Sequence, residues 1–333
     1  MSINLQKQSS RNLVLSANTQ AAYGGVLADA ALTVRQRFDP SSAISATPGN
    51  RTDKESSGKG TEWATDDQIT SWDTAGTIKN DADTFLLGWM LSLAFGQETV
   101  VGAGPYTHTF TLPSVTATMP ATTIYVEETN DVKRKYADMA AKTLSIDVPE
   151  RGAVSASLDL VGTGKFYPGA MEALPALAQA IYLLGSDVIV TITPAAGAAV
   201  PFNGRQKGIS IKLDRGSAAY ESSGDGLTSG SVASGDGKFS VDLTIAAGAV
   251  DDVNGWFESG IRCSLTIATN VALPYRFGFT FPSVRFNANK VTNTNNTVTW
   301  ALSLDETSSI QVGAQAAISA FVINDTAAFL APL

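Results

Sequence analysis

The chain has 333 residues, with 23 Lys+Arg against 31 Asp+Glu, a formal net charge of −8, 16% charged residues and 44% hydrophobic ones. Ordinary soluble domains carry about 25% charge, so Ser, Thr, Asn and Gly build most of this polar surface, as expected where much of it meets other protein. One His and one Cys exclude a His-rich metal site, an intrachain disulfide framework and every CxxC motif, and the acidic balance excludes a general basic grip on nucleic acid.

In chain order, the opening MSINLQKQSSRNL lacks an apolar core segment, so no secretory signal is expected. Asp39 to Glu62 then runs without periodicity and is rich in Ser, Gly and Asp. Asp83 is placed to cap a helix from Thr84 to Phe95, with Gly96 as its stop. Phe85 to Phe95 is also the longest apolar run, and it falls far short of the roughly 20 residues that cross a bilayer.

Most of the remainder alternates with period two. Leu144, Ile146 and Val148 share one face against Thr143, Ser145 and Asp147, and Val154, Ala156, Leu158 and Leu160 alternate with Ser155, Ser157 and Asp159. Ile209, Ile211 and Leu213 alternate with Ser210, Lys212 and Asp214; Phe239, Val241, Leu243 and Ile245 with Ser240, Asp242 and Thr244. Tyr275, Phe277, Phe279 and Phe281 form another apolar face, as do Val298, Trp300, Leu302 and Leu304, with Ser303 and Asp305 opposite. One-sided apolar strands of this kind belong in antiparallel sheets. The fold class is all-β.

Two further helices are expected. Asp251 or Asp252 is placed to cap a short one through Trp256 and Glu258, ending at Gly260. A weaker one spans Ala170 to Leu184, with Pro175 near its start. Gly216 to Gly237 is a second long polar segment. Structureless stretches longer than about 12–15 residues are usually functional or mobile.

The halves repeat each other. Ile78 to Gly88-Trp89 and Ile245 to Gly255-Trp256 have the same spacing, each passing from a strand into a helix. Val154-Ser-Ala-Ser-Leu158 likewise parallels Val298-Thr-Trp-Ala-Leu302, with Lys142 to Val148 and Tyr275 to Phe281 as the preceding strands. The expected organisation is a first unit over residues 1–167, a connector over 168–184 and a second unit over 185–333. Trp89 and Trp256 are expected to be core anchors.

No catalytic constellation assembles. Gly58-Lys-Gly-Thr61 and Gly235-Asp-Gly-Lys238 do not complete a phosphate loop, no GxSxG elbow occurs, and the adjacent acids Asp66-Asp67, Glu127-Glu128 and Asp251-Asp252 point to opposite faces of a strand or serve a helix N-terminus. His108 reads as a hydrogen-bonded structural histidine on a strand, and Cys263 as a small buried hydrophobe. Lys133-Arg-Lys135, on a predicted loop, is the one basic cluster. No cofactor or metal is expected.

Several segments together carry a family resemblance. Asn12-Leu-Val-Leu leading to Thr19-Gln-Ala-Ala-Tyr23-Gly24, the polar loop before Glu62-Trp63 and Trp72-Asp-Thr-Ala-Gly76, the helix Phe85 to Phe95, Tyr106-Thr-His-Thr-Phe110 and Leu158-Asp-Leu-Val-Gly162 resemble phage tail tube proteins. The resemblance covers most of the chain, at about twice the length of a single tube domain. It implies tandem β-sandwich or barrel domains with a few flanking helices, in a virion protein that polymerises into stacked rings for genome delivery. The rings it implies are trimeric and pseudo-hexameric, or hexameric. Tape measure, terminator and tip proteins are the implied partners, with synthesis in the host bacterial cytoplasm. Another virion β-protein, such as a tail terminator, baseplate or adhesin module, is the alternative.

Within that reading, the wet strand faces are the candidate channel lining: Ser145, Asp147, Ser155, Ser157, Asp159, Lys212, Asp214, Asp242, Ser303 and Asp305. An acidic, hydroxyl-rich wall repels phosphate, so DNA would pass through without specific binding. Asp53, Lys54, Glu55, Lys59 and Asp225, on the two polar segments, are candidate inter-ring contacts.

Overall fold

The computed structural model describes residues 11–37, 39, 41–52, 67–113, 119–128, 132–177, 180–221, 224–246, 248, 253–270, 272–294 and 297–331. In the first half the strands are β1 (Asn12–Ser16), β2 (Leu32–Gln36), β3 (Ala43–Thr52), β4 (Asp67–Asp81), β5 (Gln97–Val101), β6 (Tyr106–Thr111), β7 (Thr122–Glu127), β8 (Lys133–Pro149), β9 (Ser155–Gly162) and β10 (Phe166–Pro168), with helix α1 (Thr84–Phe95) after β4. The second half holds β11 (Val188–Pro194), β12 (Val200–Pro201), β13 (Gln206–Asp214), β14 (Ala218–Tyr220), β15 (Ser231–Ala233), β16 (Lys238–Ala246), α2 (Val253–Glu258), β17 (Cys263–Thr269), β18 (Arg276–Val284), β19 (Ala288–Thr294), β20 (Thr297–Asp305) and β21 (Ser319–Asn324). The protein is all-β, and its sheets are antiparallel and open.

Two large sheets face each other. The first contains the run β3-β4-β9-β8-β13-β16-β20-β19, with β7, β1 and β2 continuing from the N-terminal part of β8. The second runs β12-β11-β17-β18-β21-β6-β5. Strands of both halves therefore share each sheet, and a single hydrophobic cluster spans both sheets and α1. Phe239 of the first sheet meets Phe281 of the second at 5.7 Å between ring centroids.

Helix α1 lies inside this core and is buried on nearly every side, as an all-round apolar helix must be. The Asp83 carboxylate accepts from the N–H groups of Phe85 and Leu86 at 2.9 and 2.8 Å, and burial pushes that carboxyl above its ordinary value. Gly96 ends the helix with φ of 80°, a conformation that costs glycine little. Helix α2 covers only Val253–Glu258, with Gly260 beyond it in the left-handed region at φ 62°. The cap positions expected for it, Asp251 and Asp252, lie outside the described residues.

Three local expectations are corrected. The described residues of 170–184 contain no helix. They carry bends and isolated bridges, at Leu177, Tyr182 and Leu184, and Met171 and Leu174 pack on Val14, Leu32 and Tyr125. The Leu183 N–H donates to the Ala82 carbonyl at 3.0 Å, and the Leu183 carbonyl accepts from the Val154 N–H at 2.8 Å. Pro175 removes a helical donor, and these sheet contacts satisfy the backbone instead. Lys133-Arg-Lys135 opens strand β8 and is not a loop: Lys133 pairs with Glu127 at 3.1 Å, Lys135 pairs with Asp29, and Arg134 sits 5.4 Å above the Phe166 ring. β20 lies between β19 and β16, whereas Tyr275 to Phe281, the alternating stretch before it in the sequence, belongs largely to β18 in the second sheet. Sequence spacing places neighbouring strands in order along the chain and does not say which sheet receives them.

A candidate channel-lining face

The run of strands centred on β8 and β13 presents one buried and one wet face, because side chains alternate across a pleated strand. The buried face carries Ile78, Leu158, Leu144, Leu213 and Phe239 across successive strands, with Ala156, Ile146, Ile211, Val241 and Leu304 beside them. The antiparallel register then fixes the opposite face residue by residue.

Three rows cross that wet face. One runs Lys79, Ser157, Ser145, Lys212, Ser240, Asp305. A second runs Asp81, Ser155, Asp147, Ser210, Asp242, Ser303, and a third Thr77, Asp159, Thr143, Asp214, Lys238. Ser145, Asp147, Ser155, Ser157, Asp159, Lys212, Asp214, Asp242, Ser303 and Asp305 thus share one surface. Thr77, Lys79, Asp81, Thr143, Ser210, Lys238 and Ser240 complete it. Of these additions, Lys79 and Asp81 lay outside the alternating runs read from sequence, although Ile78 between them marks the phase.

The rows hold six aspartates, Asp81, Asp147, Asp159, Asp214, Asp242 and Asp305, against three lysines, Lys79, Lys212 and Lys238. Three of the acids hold local hydrogen bonds, Asp214 accepting from the Gly216 N–H at 2.8 Å. Asp159 accepts from the Thr77 hydroxyl at 2.6 Å. Asp305 accepts from the Thr307 hydroxyl at 2.7 Å and from the N–H groups of Thr307 and Ser308, closing a turn after β20.

The Thr307 hydroxyl, followed by Asn287 and those amides, holds the Asp305 carboxyl below its ordinary value of 3.8. A depressed carboxyl binds protons more weakly in the folded state than in the unfolded one. Its stabilisation is therefore present above that ordinary value and is lost as pH falls through the lowered one. Asp305→Asn is expected to make the acid limb of the stability profile shallower below about pH 4. Denaturant midpoints measured from pH 5 downward check this; an unchanged limb would contradict it.

The two long polar segments both reach the end of this sheet where β4 runs beyond β9. β3 and β4 pair with each other from Ala43/Thr77 to Thr52/Asp67, while β9 accompanies β4 only from Thr74 onward. The hairpin therefore runs past its neighbour, so part of the supposed loop from Asp39 to Glu62 is strand. Beside it, segment 216–237 forms the two-stranded ribbon β14–β15 and folds back over the first half: the Trp72 N–H donates to the Leu227 carbonyl at 2.6 Å, and the Ser229 N–H to the Thr163 carbonyl at 2.8 Å. Asp225 sits there, lining a cavity of about 80 Å³ with Thr70, Ser71 and Trp72. Asp53, Lys54, Glu55 and Lys59 lie outside the described residues.

Trp89 is fully buried, and its indole N–H donates to the Ser16 carbonyl at 2.9 Å; Trp256 packs against the same core but stays partly exposed. Phe329, from the C-terminal segment, lies directly over Gly88, where any Cβ would overlap its ring. This close approach accounts for glycine before Trp89. His108 is buried on β6, its Nδ1 2.6 Å from Glu98 and its Nε2 2.8 Å from the Thr326 carbonyl. Cys263 is buried, which pushes its thiol up.

The sequence reading missed Asp138. It is fully buried in a bulge of β8 with φ of 59°, a left-handed conformation that Asp tolerates better than most residues. Its carboxylate accepts from Gln20 Nε2 at 3.0 Å, from the Gly24 N–H at 2.9 Å and from the Thr163 hydroxyl at 2.5 Å, while Gln20 Oε1 takes the Asp138 N–H at 2.7 Å. The one available signal was an acid inside the apolar run Ala137 to Ala141.

Gln20 and Gly24 belong to the Thr19 to Gly24 stretch that carried the resemblance, and the Trp72 stretch anchors the docked ribbon. A family model described as phage tail tube protein matches residues 13–322. The chain belongs to the phage tail tube proteins. Comparison with curated proteins gives no match. As a tail tube protein it is a structural component of the virion tail and has no enzymatic role. Membership implies self-association into a tube and contact with other tail components. Among the described residues, no helix is long and apolar enough to cross a membrane and no cluster of His, Cys, Asp or Glu is suited to hold a metal.

Proposed function

We propose that copies of this tail tube protein close into rings and that the rings stack into the conduit through which the genome leaves the particle. In this reading the three polar rows line the channel. The observation that carries it is the register itself, which gathers every candidate wall residue onto one acidic, hydroxyl-rich face. Such a wall holds phosphate off by like charge and offers no array of cations whose counterions DNA could displace, so DNA slides.

The chain supplies two tandem units, and three copies would complete a pseudo-sixfold ring. The β3–β4 hairpin and the docked ribbon that carries Asp225 make the ring-to-ring contacts. Tape measure, terminator and tip proteins meet the tube at its lumen and ends, and the subunit is made in the host bacterial cytoplasm before assembly.

Electron microscopy of the purified protein tests the assembly. Tubes with a threefold or sixfold end view are expected, and a persistent monomer would overturn the reading. The wall has its own test: tubes of the double variant Asp147→Lys, Asp242→Lys are expected to retain short duplex DNA at low salt and to release it steeply between about 50 and 200 mM, as counterion release requires. Unmodified tubes are expected to retain none. Equal retention by both would place these residues away from the channel.

A further inference from the structure

Beside the three polar rows, the same wet face carries a fourth row of small or uncharged side chains. It runs Pro149, Gly208, Thr244, Ala301 across β8, β13, β16 and β20, next to the row from Asp81 to Ser303. Gly208 opens it into a trough of about 420 Å³, bordered also by Ala153. That volume lies in the range of sites that hold organic ligands. Nothing within the chain asks for glycine at this position. Its φ is not left-handed, and an added Cβ would meet no atom within 4 Å beyond its chain neighbours. The adjoining bulge between Gln206 and Gly208 does not require it either, since glycine is favoured at the left-handed bulge position. A strand glycine free of such demands marks a place where another molecule comes close.

The rim of the trough is acidic. Asp147 and Asp242 border it, both exposed and neither with a hydrogen-bond or ion-pair partner among the described residues. Beside Gly208, Lys207 is already paired with Glu150 at 2.6 Å. Asp147 and Asp242 stand two strands apart with Ser210 between them, about 10 Å at the spacing of paired strands. One metal ion, with ligands at about 2.3–2.6 Å, could not touch both. Nucleic acid has the wrong charge, and a wholly apolar segment would strand two carboxylates against itself. We propose that the trough receives apolar side chains of a basic polypeptide segment, whose Lys or Arg residues pair with Asp147 and Asp242. The place of the encounter, inside the tube, rests on the channel reading above.

The spacing specifies the segment further. On an extended chain, side chains of one face recur at about 6.7 and 13 Å, which misses the two acids. On an α-helix, residues seven apart share a face at about 10.5 Å, so cations at i and i+7 reach both carboxylates. Apolar residues at i+3 and i+4 then fall between the cations and over the neighbouring small row. Asp81 continues the acidic row at the same two-strand interval, beyond Ser155, so a longer helix meets a third acid with its next heptad. The partner is an amphipathic helix with one cation per heptad beside an apolar stripe.

A fluorescent peptide of three Lys-Ala-Gln-Leu-Leu-Gln-Ala heptads is the probe, read by anisotropy against the full chain, free and assembled. Binding to both is expected. Asp147→Asn with Asp242→Asn should weaken it about tenfold and flatten its salt dependence. Gly208→Leu fills the trough and leaves every charge, so it should weaken binding about tenfold with the salt dependence kept. The peptide with Ser in place of Leu, or Glu in place of Lys, is expected to bind at least about tenfold more weakly. Should Gly208→Leu misfold, Thr244→Phe fills the trough from the neighbouring strand and is expected to act alike. No binding by the parent chain, binding indifferent to both trough-filling variants, or equal binding of the Ser peptide would overturn the proposal. So would binding that the free chain shows and the tubes lose, which would give the trough to a second copy. If the parent chain binds the peptide yet forms no rings, the ring reading fails and the site stands.

Discussion

Trp89→Ala is expected to destabilise the free subunit by about 3–5 kcal/mol, the range for removing a large aromatic from a close-packed core. Trp89 is 0% exposed, sits on a helix buried on nearly every side and ties that helix to β1 through the Ser16 carbonyl. Truncation leaves a cavity between α1 and the sheets and removes the donor to that carbonyl, which adds about 1 kcal/mol. A domain's whole stability is about 5–15 kcal/mol, so the variant should be close to unfolding. Trp256→Ala, the same change in the second copy of the motif, is expected to cost only about 1–2 kcal/mol, since less apolar surface leaves water there. Urea unfolding followed by far-ultraviolet circular dichroism, at concentrations below assembly, checks both. Equal losses would show that the two tryptophans carry equal weight despite their different burial.

Asp138→Ala should rank next, at about 3 kcal/mol or more, because buried donors left unpaired cost about 1–3 kcal/mol each. Gln20 Nε2, the Gly24 N–H and the Thr163 hydroxyl all converge on this carboxylate. Alanine would abandon the Gly24 N–H and the Thr163 hydroxyl, would leave Gln20 Nε2 only the Gly25 carbonyl, and would also occupy a left-handed backbone position at φ 59°, where it is less tolerated than Asp or Asn. Asp138→Asn keeps the backbone preference and one acceptor oxygen, so an intermediate loss is expected. The N-terminal stretch around Tyr23 is held in place by this group, so limited proteolysis should cut the alanine variant there first. Unchanged stability of the alanine variant would mean that the bulge holds itself without the carboxylate.

Much of this polar face was legible from the chain alone. Period two in Leu144 to Val148, Val154 to Leu160, Ile209 to Leu213 and Phe239 to Ile245 assigns each side chain to a face before any partner is known. Alternation is a property of the strand backbone. The same holds for α1, whose cap Asp83 and stop Gly96 are local devices. Legibility failed where satisfaction came from a distance. Residues 170–184 contain an apolar periodicity that a helix could use, yet the described ones form none, and Met171 and Leu174 find cover on β1, β2 and β7. Asp138 carried almost no signal, because its three donors come from Gln20, Gly24 and Thr163, all remote along the chain.

The scarcity of charge, the acidic balance and the face of each strand were thus determined by the sequence, since each depends on composition or on spacing within a few residues. Only the tertiary structure decided that both halves share the same two sheets, that β19 and not β18 completes the second unit, and that β8 joins β13 edge to edge. Those outcomes depend on which strand meets which across long loops, where hydrogen bonds are interchangeable and the packing of Phe239 on Phe281 and of α1 between the sheets selects one pairing. The low charge met at the outset has accordingly become specific: three polar rows on one face of one sheet.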